Sequence, residues 1–371
     1  MIFFKRKTTY SLTAFLAMTL LLLTSCDDHF FENEGDCEVS HAIRFVYDMN
    51  LKWADAFPSE VKSVNLYVFD KNGVFIKEYK GRGEELNDPS YRIILDLPAN
   101  RSYQFLAWCG LDNGSEQESF SVPIPVQGVT KIEEMNCLLN TTTIPPTRSG
   151  EPVYSYNRLN FLYHGYIEEF LPDNHDGKQH EYTIHLTKDT NHIRLMLQQV
   201  NGNISADQFE FSLSAANGEM GWDNRLIANT VVNYSPWSTQ TDLLGYADVN
   251  GENMQYQGVI ADLSTCRLME EDVDNIYITV KNSETGKVHF KVPLVQYSLL
   301  QKEYYEMAYE HKMTDQEFLD RQDEYVLTFF LDENMNWIYA IIEVLEWRIV
   351  KWNYEITPGK EYTGKSFLQY S

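Results

Sequence analysis

Residues 61–79 read VKSVNLYVFDKNGVFIKEY. Val64, Leu66 and Val68 alternate with Asn65, Tyr67 and Phe69, the period of two that sends successive side chains to opposite faces of a strand. Asp70-Lys71-Asn72-Gly73 then supplies a turn, and 74–79 (VFIKEY) returns as the partner strand. Asn-Gly between two such runs is a strong hairpin signal, because both central residues tolerate positive φ.

The pattern continues outward from this hairpin. Upstream, Ile43, Phe45 and Tyr47 alternate with Arg44, Val46 and Asp48. Downstream, strands are predicted at 91–97, 102–108, 181–187, 192–199, 208–214 and 275–281, and at 287–293 after a turn at 282–286. Residues 297–324 read as partly helical, with 316–319 forming a turn before strands at 325–331 and 337–345. In the closing run 348–356 (RIVKWNYEI), Arg348, Val350, Trp352, Tyr354 and Ile356 share one face. Short strands at close intervals, separated by turn residues, indicate β-sandwiches. The 14% aromatic content agrees with strands over helices. A chain of 371 residues holds two domains of common size. Residues 141–152 form a loop by composition, but strands resume after it. The division is therefore expected near 188–191, with one sandwich over 39–188 and a second over 189–371.

The N-terminus has a different character. Lys5, Arg6 and Lys7 precede a 14-residue apolar run from Tyr10 to Leu23, short of the roughly 20 residues a spanning helix needs. This is the layout of a secretory signal, expected over 1–25 and excluded from the fold. It ends Leu23-Thr24-Ser25-Cys26, which resembles the lipobox of bacterial lipoproteins. That resemblance implies cleavage before Cys26, lipid on its thiol and acylation of the new N-terminus. Several buried chains give firm anchoring, at about 0.8 kcal/mol per CH₂. The competing reading is an ordinary cleaved signal with an incidental cysteine. Residues 26–38 are acidic and poorly apolar, a solvated tether, and no Lys or Arg occurs from 26 to 43. Asp27 and Asp28 resemble the surface-export signal of some outer-surface lipoproteins.

The formal charge is −24, and losing Lys5, Arg6 and Lys7 with the signal leaves about −27. Such a surface repels nucleic acid and anionic headgroups. Nucleic acid is not an expected partner, and membrane association falls to the lipid on Cys26. Beyond Cys26 there are four cysteines, Cys37, Cys109, Cys137 and Cys266. Their irregular spacing, without C-x-x-C, argues against zinc. A Cys109–Cys137 disulfide and free buried thiols both fit.

Several stretches together resemble the FimB-type fimbrillin A-associated anchor proteins, accessory subunits of donor-strand fimbriae. They are 55–73 (DAFPSEVKSVNLYVFDKNG), 97–110 (LPANRSYQFLAWCG), 162–165 (LYHG), 263–269 (LSTCRLM), 318–325 (FLDRQDEY) and 342–347 (IEVLEW). Cys109 departs from the small residue usual there. The resemblance implies two transthyretin-like, Greek-key β-sandwiches and a place at the membrane-proximal base of a fimbrium, in the outer membrane and exposed at the surface. It implies stalk subunits as partners through β-strand addition, and neither enzymatic activity nor a cofactor. Stalk subunits of these fimbriae lose an N-terminal strand after a basic residue, whereas an anchor has to stay uncut between its lipid and its first domain. A tether without Lys or Arg meets that need, so the strand at 41–48 is expected to stay in its own sheet and assembly to terminate. The run Arg348, Val350, Trp352, Tyr354 and Ile356 is the candidate donor strand, with an ordinary last strand as its alternative.

Other constellations carry less. Asp173-Asn174-His175-Asp176-Gly177 opens like a calcium loop but lacks the later ligands. His175, His180, His185 and His192 lack the geometry of a metal site. No phosphate loop, nucleophile elbow or Ser/His/Asp order appears. Trp222, Tyr234, Trp237, Tyr246 and Tyr256 are expected to pack against the second sandwich. Were they exposed, they would favour the rival reading of an adhesive tip or glycan-binding surface lipoprotein.

Overall fold

The computed structural model describes residues 40–98, 101–142, 153–172, 179–199, 202–227, 231–249, 252–344 and 347–352. The protein is an all-β sandwich structure, as the alternation predicts. Its first eleven strands are β1 (His41–Val46), β2 (Ser63–Asp70), β3 (Phe75–Arg82), β4 (Ile93–Leu95), β5 (Tyr103–Cys109), β6 (Phe120–Ser121), β7 (Cys137–Leu139), β8 (Val153–Ser155), β9 (Tyr163–Phe170), β10 (His180–His185) and β11 (Thr187–Lys188). The rest are β12 (Thr190–Gln199), β13 (Phe209–Ala215), β14 (Glu219–Met220), β15 (Val232–Tyr234), β16 (Ser238–Val249), β17 (Glu252–Cys266), β18 (Tyr277–Asn282), β19 (Val288–Pro293), β20 (Glu324–Leu331), β21 (Trp337–Val344) and β22 (Trp347–Trp352). Among the described residues four short α-helices accompany them: α1 (Phe57–Glu60), α2 (Leu294–Leu299), α3 (Lys302–Tyr309) and α4 (Asp315–Arg321).

The β2–β3 hairpin forms as read, with one difference at its turn. Asn72 stays out of the left-handed region and Gly73 alone enters it, at φ 72°. The Asp70 carboxylate explains this, since Oδ1 accepts from the backbone N–H groups of Asn72 (2.8 Å) and Val74 (2.9 Å). An aspartate-capped turn with a register shift at Val68/Phe69 replaces the two-residue mirror turn.

The first sandwich sets the three-stranded sheet β10-β1-β4 against the five-stranded sheet β11-β9-β5-β2-β3. Ile43, Phe45 and Tyr47 meet Val64, Leu66, Val68, Phe105 and Ala107 between them. The other face of the larger sheet, carrying Tyr67, Phe69, Leu106 and Trp108, is buried as well. It packs on Phe120, Ile132, Met135 and Cys137 in a core continuous with that of the second sandwich. That second sandwich pairs the sheet β16-β17-β12-β20-β21-β22 with β19-β18-β13-β15-β8. Ile193, Leu195, Leu263 and Phe329 face Phe211, Leu213, Ile278 and Val292.

Two strands cross the division expected at 188/189. β8 precedes it but pairs with β15, and β14 follows it but pairs with β7. The stretch 316–319, read as a turn, is a full helix, α4. Thr314 caps it, its side chain accepting from the Glu317 N–H at 3.0 Å. Strand 91–97 shortens to Ile93–Leu95.

Candidate functional site

β1 lies between β10, to which it runs parallel, and β4, to which it is antiparallel. β10 covers one edge along its whole length, from His41↔His180 to Val46↔His185, and β4 covers the other over His41–Ile43. Its inward side chains are closed over. Phe45 stacks on Phe57 at 5.8 Å between centroids, and Tyr47 meets Tyr163 edge-on at 5.0 Å. Burying Ile43, Phe45 and Tyr47, at about 1.5–3 kcal/mol each, holds the strand with roughly 5–9 kcal/mol, an upper figure. Outward, Arg44 pairs with Asp55 at 3.3 Å. Asp55 also accepts from the N–H groups of Tyr47 (3.1 Å) and Phe57 (3.0 Å), so it clips the end of β1 to α1. Arg44 therefore sits within a paired strand, opposite Thr183 of β10.

At the other end of the chain, β22 forms the outermost strand of the six-stranded sheet, antiparallel to β21 from Val344↔Trp347 to Tyr339↔Trp352. Arg348, Val350 and Trp352 of the candidate donor run belong to this strand, with Arg348 opposite Glu343 and Val350 opposite Ile341. Tyr354 and Ile356 lie outside the described residues, as do Cys26, Cys37, the 26–38 tether and the 173–177 loop. Among the described residues nothing pairs with the far side of β22.

Charged groups join the two halves. Lys188, 3% exposed, reaches Glu60 at 3.0 Å on one side and Asp323 on the other, with Nζ 3.5 Å from the Phe161 ring centroid. Arg321 donates to the backbone carbonyls of Asp48 (3.1 Å) and Asn50 (3.4 Å), and its guanidinium lies 3.8 Å from the Trp53 ring. Trp53 pays for this position with a left-handed backbone, φ 54°. Sequence reading did not find this junction, because its partners lie up to 273 residues apart.

The remaining residues singled out by sequence are dispersed. Cys109 and Cys137 are free and buried on opposite sides of the five-stranded sheet, so the disulfide between them does not form. Cys266 is free and buried too, and burial pushes its thiol up to about 12. His180 stacks on His41, His185 meets Asp48 at 3.1 Å, and His192 lies 3.3 Å from Asp262. Among the described residues no His, Cys, Asp and Glu groups of three or more are arranged to hold a metal. Tyr234 is fully buried, and Trp222 packs edge-on against Tyr166 at 5.2 Å. Trp237 sits beside His192 at 5.7 Å. Of the five loop aromatics Tyr234 is thus buried, Trp222 and Trp237 are half-buried, and Tyr246 and Tyr256 have no described side chains. No helix among the described residues is long and apolar enough to cross a membrane.

The model of the family "Fimbrillin-A associated anchor proteins Mfa1 and Mfa2" matches residues 33–352. Among solved structures, a candidate adhesin from Bacteroides thetaiotaomicron VPI-5482 is 31% identical, with a TM-score of 0.71 over 85% of this chain and 99% of its own. A candidate polysaccharide-binding protein from the same strain is 25% identical, with a TM-score of 0.68 over 86% and 99%. The fimbrial anchor protein Mfa2 from Porphyromonas gingivalis, at 16% identity and a TM-score of 0.59 over 85% and 100%, shares the fold. No curated protein matches the chain. With a family match over residues 33–352, spanning the strand order just described, the chain belongs to the fimbrillin-A associated anchor proteins.

Proposed function

We propose that this protein anchors the base of a fimbrium to the outer membrane through lipid on Cys26 and terminates assembly there, limiting fimbrial length. The observation that carries this reading is the occupied position of β1, paired with β10 along its length and with β4 over His41–Ile43, and reached by a tether without Lys or Arg. A subunit that keeps its own first strand has no groove for an incoming one, and one left uncut keeps its lipid. The anchor is surface-exposed, and the stalk subunit meets it by strand addition at the C-terminal edge. There Arg348, Val350 and Trp352 stand on the outermost strand, and Tyr354 and Ile356 extend the run. Residues 1–25 are the signal and 26–38 the tether, with 39–188 and 189–371 as the two sandwich units.

Deleting the gene and imaging the cells by electron microscopy tests the role. Long fimbriae shed into the medium are expected, and fimbriae of normal length and retention refute it. Cys26→Ala should release folded protein, with any attached fimbrium, into the medium. Truncation before 348 should abolish capture of stalk subunits, and a folded truncated protein that still captures them sinks the donor strand.

A second reading, an adhesive or glycan-binding role, draws on one surface feature. Trp53 and Tyr309 are 37% and 43% exposed, with His311 edge-on to Trp53 at 4.5 Å. Loss of polysaccharide binding in Trp53→Ala would favour it, and equal retention on wild-type and variant surfaces would discount this face.

A further inference from the structure

Asp189 is the single residue between β11, the last strand added to the first sandwich, and β12, the first strand of the second. It is fully buried, and its N–H donates to the Leu162 carbonyl at 2.8 Å. Its Oδ1 accepts from Asn224 Nδ2 at 3.0 Å. The other oxygens of this pair, Asp189 Oδ2 and Asn224 Oδ1, are both buried without a hydrogen-bond partner. Both are acceptors, and buried acceptors left unsatisfied are costly. A proton on Asp189 Oδ2, shared with Asn224 Oδ1, would satisfy both.

The surrounding charges point the same way. Arg267 lies 3.8 Å from Asp189 Oδ1 but is engaged by Asp320, to which its Nε and Nη2 donate at 2.9 and 2.7 Å. Its Nη1 donates to the Asn224 carbonyl. Lys188 is held by Glu60 and Asp323. Two cations thus already face three carboxylates, and an ionised Asp189 would add a fourth in a fully buried position. The other titratable groups around it are the thiols of Cys137 and Cys266 and the phenol of Tyr47, which burial keeps neutral. Glu271 also acts on Arg267. Burial, outweighing Arg267 and the Asn224 hydrogen bond, pushes the Asp189 carboxyl up to about 7.

We propose that Asp189 is carried as the neutral acid in the folded protein and closes a two-point hydrogen-bonded ring with the Asn224 amide, forming a proton-operated latch at the joint of the two halves. Asn224 Nδ2–H donates to Asp189 Oδ1, and Asp189 Oδ2–H donates to Asn224 Oδ1. The latch holds the turn at Asn224, whose backbone is left-handed at φ 63°. That turn lies just beyond β14, which reaches across to β7. Losing the proton turns two carbonyl-type oxygens against each other and loosens this clasp.

Because the folded state holds a proton that the unfolded chain has released, this group's contribution to stability falls as pH rises from about 4 to about 7 and is flat above. His164 titrates with the opposite sign, since burial pushes it down to about 4. A single pH profile would mix the two, so the test is a comparison. Asp189→Asn keeps the shape and supplies an N–H where the proposed O–H stands. Urea unfolding of the full chain from pH 5 to 8.5 is measured for wild type and variant, and His164 cancels in the ratio. The ratio of unfolding constants, wild type over variant, should climb by up to tenfold per pH unit and level off near pH 7. The variant should be at least as stable as wild type at pH 8. A ratio independent of pH, or a variant less stable at pH 8, overturns the proposal and assigns Asp189 as a carboxylate held by Arg267 or a bridging water. Should the variant fail to fold, ¹³C NMR of the wild-type carboxyl decides. A resonance that titrates near neutrality supports the latch, and one fixed at the ionised position overturns it.

Discussion

Phe45→Ala tests whether β1 is sealed into its sheet. Phe45 is 2% exposed, paired with Ile184 of β10 and stacked on Phe57. Truncating a buried Phe to Ala costs about 3–5 kcal/mol. If that loss falls on the contacts that keep β1 closed, the open population rises from roughly a hundredfold to a few thousandfold, at about 1.4 kcal/mol per factor of ten. Arg44 is the reporter, since a trypsin-like protease reaches it only with β1 out of the sheet. Lys52, exposed in the turn that follows, is the internal control. Limited proteolysis with mass spectrometry measures both cuts, each normalised to the unfolded chain. When opening and closing outpace cleavage, the rate follows the open population. Wild-type protein should be cut at Lys52 long before Arg44. In the variant, cleavage at Arg44 should rise about a hundredfold or more while Lys52 changes little. Wild-type Arg44 cut as fast as Lys52, or a rise below about tenfold, refutes the sealed strand.

Three further substitutions and labels bear on the framework. Gly110 has φ 88°, and a Cβ there would stand 1.9 Å from the Phe161 carbonyl oxygen. Gly110→Ala should cost about 3 kcal/mol or more in urea unfolding, and a loss below about 1 kcal/mol contradicts the close approach. Lys188→Met should destabilise by about 2 kcal/mol, less than for a fully enclosed pair because Glu60 and Asp323 are 26% and 29% exposed. An unchanged unfolding midpoint would show that this pair does not join the halves. Cys109, Cys137 and Cys266 should resist alkylation at pH 8 in native protein and react fully in urea, because burial keeps each thiol protonated and covered. Modification of any of the three in the native state at the unfolded rate contradicts this.

The first hairpin was legible because its signal is local: alternation, a turn aspartate and a glycine sit within nineteen residues. The strands at 103–109, 190–199 and 324–331 were found for the same reason. The ribbon β16–β17 escaped, although Val249 pairs directly with Glu252 across Asn250-Gly251. That Asn-Gly signal was as strong as the first, but the flanking Asp242, Gly245 and Asn253 break the apolar alternation. β9 escaped because Gly165 stands where the apolar pattern needs a side chain, in a place where a Cβ would lie 2.4 Å from Ile184. For the site, occupancy of β1 was predictable from charge, since no Lys or Arg lies between Cys26 and Arg44. The joint at Lys188 and Asp189 was invisible, because its partners at 60, 224, 267, 320 and 323 come together only through the sheet order.

The exchange of β8 and β14 between the halves bears on when this protein can fold. A chain delivered N-terminus first presents β7 some 80 residues before its partner β14, and β8 nearly 80 before β15. Until about residue 234 has arrived, β7 lacks its partner β14 and β8 its partner β15. Such a half-made sandwich exposes apolar surface and unpaired edges, the usual precursors of aggregation. The two halves therefore complete each other late, and a fragment ending at 188 should behave as a chaperone client and not as a free-standing domain.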